Sequence, residues 1–582
     1  MQVSPGRKDE AYHFASARTE VVLPIEILRR AVESYAPYLQ PSGEMHDPVF
    51  GQPTQYGTPY HALCNAVLAR EVGGDRKSVY VERAVRGLRA ALDHVSNPGL
   101  PPTASGFDRA TGAVSRFNHR DFFWPPILKT FLLLRDLGVG EAEDFAGRIS
   151  GVDIEASFAK RPPSNWAAVW LSGEWLRLRE GLSPFSLERL DLWLDAFFEA
   201  HILAEQGLYQ EPGHPNSYDL FTRYHLADML VEGYDGRWRG DLERLLRTGL
   251  RRSLGVQLSD GSLASAHRSA GQTWTLGAQC AFFTLVSNHF HGRDPELAGR
   301  AAEAAYRALS SFRRWQRPDG PYGPAENLLP PGNRVGYEGY TADGHYGNLA
   351  AAFLATAVSH GLDRHFSEPS REREASLLLE HDPTYRAVLH NGAYSLHFNA
   401  RPAPGYDAFG IVDLTFGPGR FLHFVSSTKH LESGRLLNLG MAGNAGSDLA
   451  LIGSMEGGPK PPRLELEARD RGSPYRYRFA GCVKTEGVYI EEETPGLAEP
   501  KVLLVPYLRD PGTGTLTEAR VEAGGVRLVH GREEIEISYG APVRRVIHLS
   551  GGLESRRGLC GLLRIMFREE SQGISYRIRT VR

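Results

Sequence analysis

The hydrophobic period of this chain changes once along its length, and that change limits the possible folds more than any single motif. In the first part, apolar residues recur at helical spacing. The stretch "LERLDLWLDAFFEAHI" sets Leu187, Leu190, Leu192, Leu194 and Phe197 on one broad stripe. Over the last 200 residues the pattern alternates instead, as in "YSLHFNARP", "FGIVDLTFG", "VRLVHGREEIEISYG" and "ISYRIRTVR", between Gly, Pro and Asn turns. That is the period of half-exposed antiparallel strands. All eight tryptophans, Trp124 to Trp315, fall in the helical part. At 582 residues the chain is long enough for two or more domains.

The periodicity predicts about twelve helices, near 21–38, 57–72, 77–95, 121–137, 141–149, 165–180, 185–204, 218–231, 240–254, 272–290, 295–316 and 346–360. Short connections make sequential helices antiparallel neighbours. Twelve such helices form either six hairpins closed into a toroid or an open solenoid, and no clean repeat supports the solenoid. The charged, Pro-bounded segment "SEPSREREASLLLEHDP" reads as a linker. The expected fold is α+β multidomain: an (α/α) toroid over 1–366, a linker over 367–383 and an antiparallel β-sandwich over 384–582.

Composition removes several function classes. With 41% hydrophobic and 23% charged residues, the chain has a soluble, globular profile. Its 66 basic and 69 acidic residues leave a net charge of −3, which calls for neither nucleic acid nor an anionic membrane. Cys64, Cys280, Cys482 and Cys560 are scattered, as buried thiols in a reducing compartment would be. The amino terminus has no apolar signal core, and no stretch reaches about 20 apolar residues, so a cytoplasmic location is expected. No Gly-rich phosphate loop follows a strand. His397, His423 and His430 lie on candidate strands without tight spacing, so neither a metal nor another cofactor is expected.

The unusual loops fall in a regular place. "GQPTQYGTPYH", "FNHRDFFWPP", "RPPSNW", "EPGHPNSYD", "ASAHRSAGQTW" and "NRVGYEGYTADGHYGN" precede the second, fourth, sixth, eighth, tenth and twelfth helices. In an up-down array alternate helices start at one end, so the six loops converge on one rim. The plainer reading is that bulky residues plug the toroid, but plugging does not require His, Arg and Asn together. The eighth-helix loop supplies Glu211, His214, Asn216, Tyr218, Arg223 and Tyr224. Neighbouring loops add Asn118, His119, Arg120, Asn165, His267, Arg268 and His345. Trp124, Trp166, Tyr60 and Tyr340 are candidate stacking surfaces for sugar rings, and each also suits a core. Asn165 equally suits a helix N-cap, and His225 a hydrogen-bonded core position.

Two reactions suit such a cleft. A glycoside hydrolase needs two carboxylates, and Glu338 in "GYEGYTADGHY" is the best candidate acid. A lyase acting on uronic acids needs neutral or cationic donors that hold the sugar carboxylate while charge builds on it. It also needs a Tyr or His to take the proton from the adjacent carbon and return one to the departing oxygen. Tyr218, at a helix start, has the dipole in its favour.

The order of domains and these loops resemble the toroid-plus-β-sandwich polysaccharide lyases: heparinase II/III-like, chondroitin AC/hyaluronate and oligoalginate lyases. That resemblance implies that Asn165 holds the carboxylate and His214 neutralises it or acts as base. It implies Tyr218 or Tyr224 as base and acid, with Arg268 orienting an acidic oligosaccharide or polysaccharide. "QGLYQEPGHPNSYDLFTRYH", "SNWAAVWL" and "HRSAGQTW" are also similar to a bacterial family of unassigned function with a D-G-W-Y-x-D-G, D-Y-Y, His signature. Gln206, Glu211, Pro212, Ser217 and Asp219 depart from that signature.

Overall fold

The structure is a computed structural model. It describes residues 23–581 apart from 101–102, 108–112, 118, 160–163, 211–215, 266, 363–375, 380–385, 392, 401–404, 418, 426–427, 431–435, 442–448, 457–462 and 471–475. Twelve α-helices are described: α1 (Pro24–Tyr35), α2 (Gly57–Glu71), α3 (Arg76–Ser96), α4 (Trp124–Asp136), α5 (Ala142–Ser150) and α6 (Asn165–Arg179), then α7 (Leu187–His201), α8 (Asn216–Val231), α9 (Arg239–Val256), α10 (Thr273–Phe290), α11 (Pro295–Arg314) and α12 (Asp343–Ser359). They lie within a few residues of the spans the periodicity predicts.

The even-numbered helices form an inner ring, each packed on the next, and α12 returns to α2. The ring therefore closes, and the fold is an (α/α) toroid rather than an open solenoid. Closure depends on a small residue, because a Cβ on Gly57 would lie 2.7 Å from the Gly344 carbonyl oxygen. Polar bonds lock the seam: His61 Nδ1 lies 3.0 Å from Asn348 Oδ1, and the Gly344 amide donates to Asp47 at 2.6 Å. Inner helices such as α10 and α12 are buried on every side, whereas outer helices such as α3 and α11 bury one stripe.

Two antiparallel sheets follow, with eleven and eight strands among the described residues. Their inner faces meet at Leu396 and Phe398 of strand 394–399 and at Tyr477 and Phe479 of strand 476–484, with the Phe398 and Phe479 rings 4.5 Å apart. This is a β-sandwich. Its first strand, Ser376–Leu379, pairs with Arg386–Asn391 and so lies inside the segment expected as a linker. The rest of that segment is outside the described residues.

The sandwich docks on the toroid through both apolar and polar contacts. Val388 packs on Val256, Leu258 and Ala264. Ser259 Oγ lies 2.9 Å from Thr415 Oγ1. At the tip of the hairpin joining strands 543–555 and 558–571, Arg557 bridges Glu326 at 3.0 Å and Asp413 at 2.7 Å. His397 lies beside Asp413 at 3.7 Å, and His423 Nε2 is 2.8 Å from the Arg420 carbonyl.

Candidate active site

A cavity of about 230 Å³ opens at the end of the toroid where the inner helices begin. Every one of the six loops reaches it. Gln55 and Tyr56 come from the loop before α2, His119 and Phe122 from the turn before α4, and Trp166 from the start of α6. Tyr218 and Phe221 come from α8, Arg268 and Trp274 from the α10 entry, and Tyr340, Tyr346 and Leu349 from the α12 entry. The walls are aromatic and interlocked. Tyr56 stacks on Phe122 at 4.8 Å, and His119 meets Trp166 edge-on at 4.6 Å.

The polar chemistry gathers on one side. The Arg268 guanidinium lies over the Tyr218 ring, 5.0 Å from its centre. Tyr218 Oη is 2.9 Å from Ser269 Oγ, which is 2.6 Å from Tyr340 Oη. Beneath this hydroxyl chain, the Ser269 amide donates to Glu338 Oε1 at 2.9 Å. Burial pushes the Tyr218 phenol above its ordinary value, while Arg268 and the Ser269 hydrogen bond pull it partly back. Burial, then the neighbouring Tyr218 and Glu338, push Tyr340 well above its ordinary value. Both phenols therefore stand protonated near neutral pH. Burial likewise drives the His345 imidazole well below its ordinary value and keeps it neutral.

The loop that carries Arg268 is conformationally costly. His267 (φ 71°) and Ser269 (φ 67°), on either side of Arg268, both adopt the left-handed region. Non-glycine residues persist there only when their surroundings hold them, a condition that clusters at functional sites.

Several candidate residues lie elsewhere. Trp124 is fully buried and donates its indole N–H to Glu174 at 2.9 Å, so it is core and offers no face to a sugar. Tyr60 is also buried core. Tyr224 sits deeper on α8, packed edge-on against Phe353 and within 3.4 Å of Thr356 Oγ1, away from the cavity lining. Arg223 is tied to Asp219 at 2.5 Å and to Ser253, which makes it a strut. Arg120 is buried and donates to the Leu100 carbonyl. His267 is buried, with its amide bonded to Asp407. His345 packs behind Tyr56 at 5.0 Å. Asn165 is buried at the first position of α6, beside cavity-lining Trp166; the N-cap is Ser164, whose hydroxyl accepts the Trp166 amide. His225 is a core histidine, 3.2 Å from Ser172. Glu338 lies below the hydroxyl chain and pairs with Arg556 at 3.6 Å. Asn118, Glu211 and His214 lie outside the described residues, and Asn216 opens α8.

Ser269, Trp274, Tyr56 and Tyr346 belong to the site but were not singled out by sequence. Ser269 and Trp274 were within reach, since both stand in the quoted "HRSAGQTW". Among the described residues, Asp228, Glu232 and His360 are the one group spaced to hold a metal, and Lys129 already occupies Asp228 at 2.5 Å. No described helix is long and apolar enough to cross a membrane.

No family model and no curated protein matches the sequence. Solved structures do match the fold. The chain is similar to Streptomyces coelicolor A3 chondroitin AC lyase in complex with chondroitin sulphate, with a TM-score of 0.52 at 10% identity over 99% of this chain and 81% of that one. A tyrosine-to-alanine mutant of the same lyase aligns with a TM-score of 0.53 at 12% identity, covering 96% and 79%. A Paenibacillus xanthan lyase aligns with a TM-score of 0.51 at 9% identity over 96% of this chain, which spans 57% of that lyase. The architecture thus resembles that of polysaccharide lyases, a toroid followed by a sandwich.

Proposed function

We propose that this chain is a carbohydrate-active enzyme, a lyase that cleaves a uronate-containing oligosaccharide or polysaccharide by β-elimination. The observation that carries the reading is the Tyr218 ring beneath the Arg268 guanidinium, its hydroxyl bonded to Ser269, at the edge of an aromatic cavity that has no carboxylate among its described lining residues. A hydrolase would need two carboxylates facing the scissile bond. Glu338 instead holds the Ser269 amide and faces Arg556.

In this reading aromatic walls take the C–H faces of the sugar and Arg268 pairs with its carboxylate, favouring the charge that grows there. Asn165 and His214 add neutralising donors, a part that rests on the resemblance. Tyr218 is protonated at rest, so it accepts the sugar proton only as its own proton moves on. Ser269 and Tyr340 give that proton a path toward Glu338. The electron pair of the broken C–H bond forms the C=C bond as the glycosidic C–O bond breaks. The path then reverses, and Tyr218 protonates the departing oxygen.

The test is a panel of uronate-containing glycans followed at once by near-ultraviolet absorbance and by new reducing ends. Absorbance rising with reducing ends is the expected result. Reducing ends without absorbance would mean a hydrolase instead.

A further inference from the structure

The strained loop at 267–271 is not held by the toroid alone. The hairpin turn at Arg556 and Arg557 reaches from the sandwich onto it. Arg556 donates to the His267 carbonyl at 2.8 Å, lies 3.6 Å from Glu338 and 3.9 Å from Asp407. Those two carboxylates accept the amides of Ser269 and His267. One guanidinium therefore ties together the three anchors that keep His267 and Ser269 in the left-handed region and aim Arg268 between them.

The fit is close enough to require glycine on the toroid side. A Cβ on Gly336 (φ 73°) would lie 2.6 Å from Arg556 Cα, and one on Gly271 (φ 67°) would lie 3.2 Å from Arg556 Cβ. Asn327 Nδ2 donates to the Arg556 carbonyl at 3.2 Å and fixes the turn from the other side. Nothing in Arg556 lines the cavity.

We infer that Arg556 of the β-sandwich is a positioning residue for the toroid site: it holds the 267–271 loop so that Arg268 and Ser269 meet Tyr218. This rests on the lyase reading for what the site does, but not for the bracing itself. It also gives the sandwich a part in turnover, since a residue of its hairpin holds the loop in shape.

Two readouts separate the claims. Backbone hydrogen exchange of the full-length protein reports the bracing without any substrate. In Arg556→Ala, exchange should rise at 267–271 and stay unchanged in α3 and α5, far from the hairpin. With a glycan the wild type turns over, Arg556→Ala should lose about a hundredfold in kcat, the scale expected for misplaced reacting groups, with a small change in KM. Added guanidinium, or Arg556→Lys, should restore part of it. If exchange at 267–271 stays unchanged, or kcat stays within about twofold of wild type, the inference is overturned. If the variant exchanges faster throughout, restoration by guanidinium or Lys supports positioning, and failure of both overturns it. A wild type inactive on every uronate glycan, with the exchange change present, would sink the lyase reading and leave the bracing standing.

Discussion

Removing one oxygen, in Tyr218→Phe, puts the proposed chemistry to its most direct test. The ring should stay where it is, because Arg268 lies over its face at 5.0 Å and Trp274 packs against it at 5.9 Å. Ser269 keeps its 2.6 Å bond to Tyr340. The fold therefore loses a single hydrogen bond, worth about 1 kcal/mol, and the cavity keeps its shape, so KM should move little. Catalysis loses both the group that takes the proton and the group that returns it. General acid–base catalysis contributes roughly a hundredfold to ten-thousandfold, equivalent to about 3 to 5 kcal/mol of transition-state stabilisation. Initial rates of near-ultraviolet absorbance on a substrate glycan give kcat and KM, and thermal unfolding confirms that the fold survives. Ser269→Ala should slow the wild type yet leave the Tyr218→Phe enzyme no slower, since residues of one relay act as a unit. A Tyr218→Phe enzyme that keeps more than about a tenth of its kcat would refute the assignment, as its loss would fall below the range for such a group.

Two further outcomes concern stability. Burial, and then the nearby Asp343, push the Asp47 carboxyl up to about 6, although the amides of Gly344, Val49 and Phe50 oppose the shift. A raised folded value means that stability is greatest below the unfolded value near 3.8 and is lost as pH rises through 6. The loss is roughly 3 kcal/mol for a two-unit shift. Asp47→Asn removes the titration but keeps one acceptor oxygen, enough for the Val49 and Phe50 amides and not for Gly344. Its melting temperature relative to the wild type should therefore be higher at pH 8 than at pH 3, and equal differences at both would refute the reasoning. Trp124→Phe should cost about 1 to 3 kcal/mol in melting experiments, because it trims a filled core and strips buried Glu174 of a donor. KM should not change, and a large rise in KM would return Trp124 to the site.

The placing of the site was legible because it follows from parity. Loops before alternate helices share one end of an up-down array, and "FNHRDFFWPP" or "HRSAGQTW" differ visibly from turns such as "EGLSPFS". Which side chains face the opening was less legible. Tyr218 and Tyr224 look alike in the sequence, but six residues along a helix turns one toward the cavity and the other toward Phe353. Trp124 and Trp166 each open an inner helix, and only the packing of α4 against α6 separates the buried indole from the lining one.

By itself the sequence determined two periods, and with them a helical part and a stranded part, because local spacing fixes which face of an element can be buried. It also determined the rim, since short connections force neighbouring helices to alternate. Only the tertiary structure decided that the ring closes through Gly57 and Gly344, and that a sandwich arginine braces the loop bearing Arg268. Both depend on contacts between residues nearly 300 positions apart, which no local pattern of hydrophobicity or charge encodes.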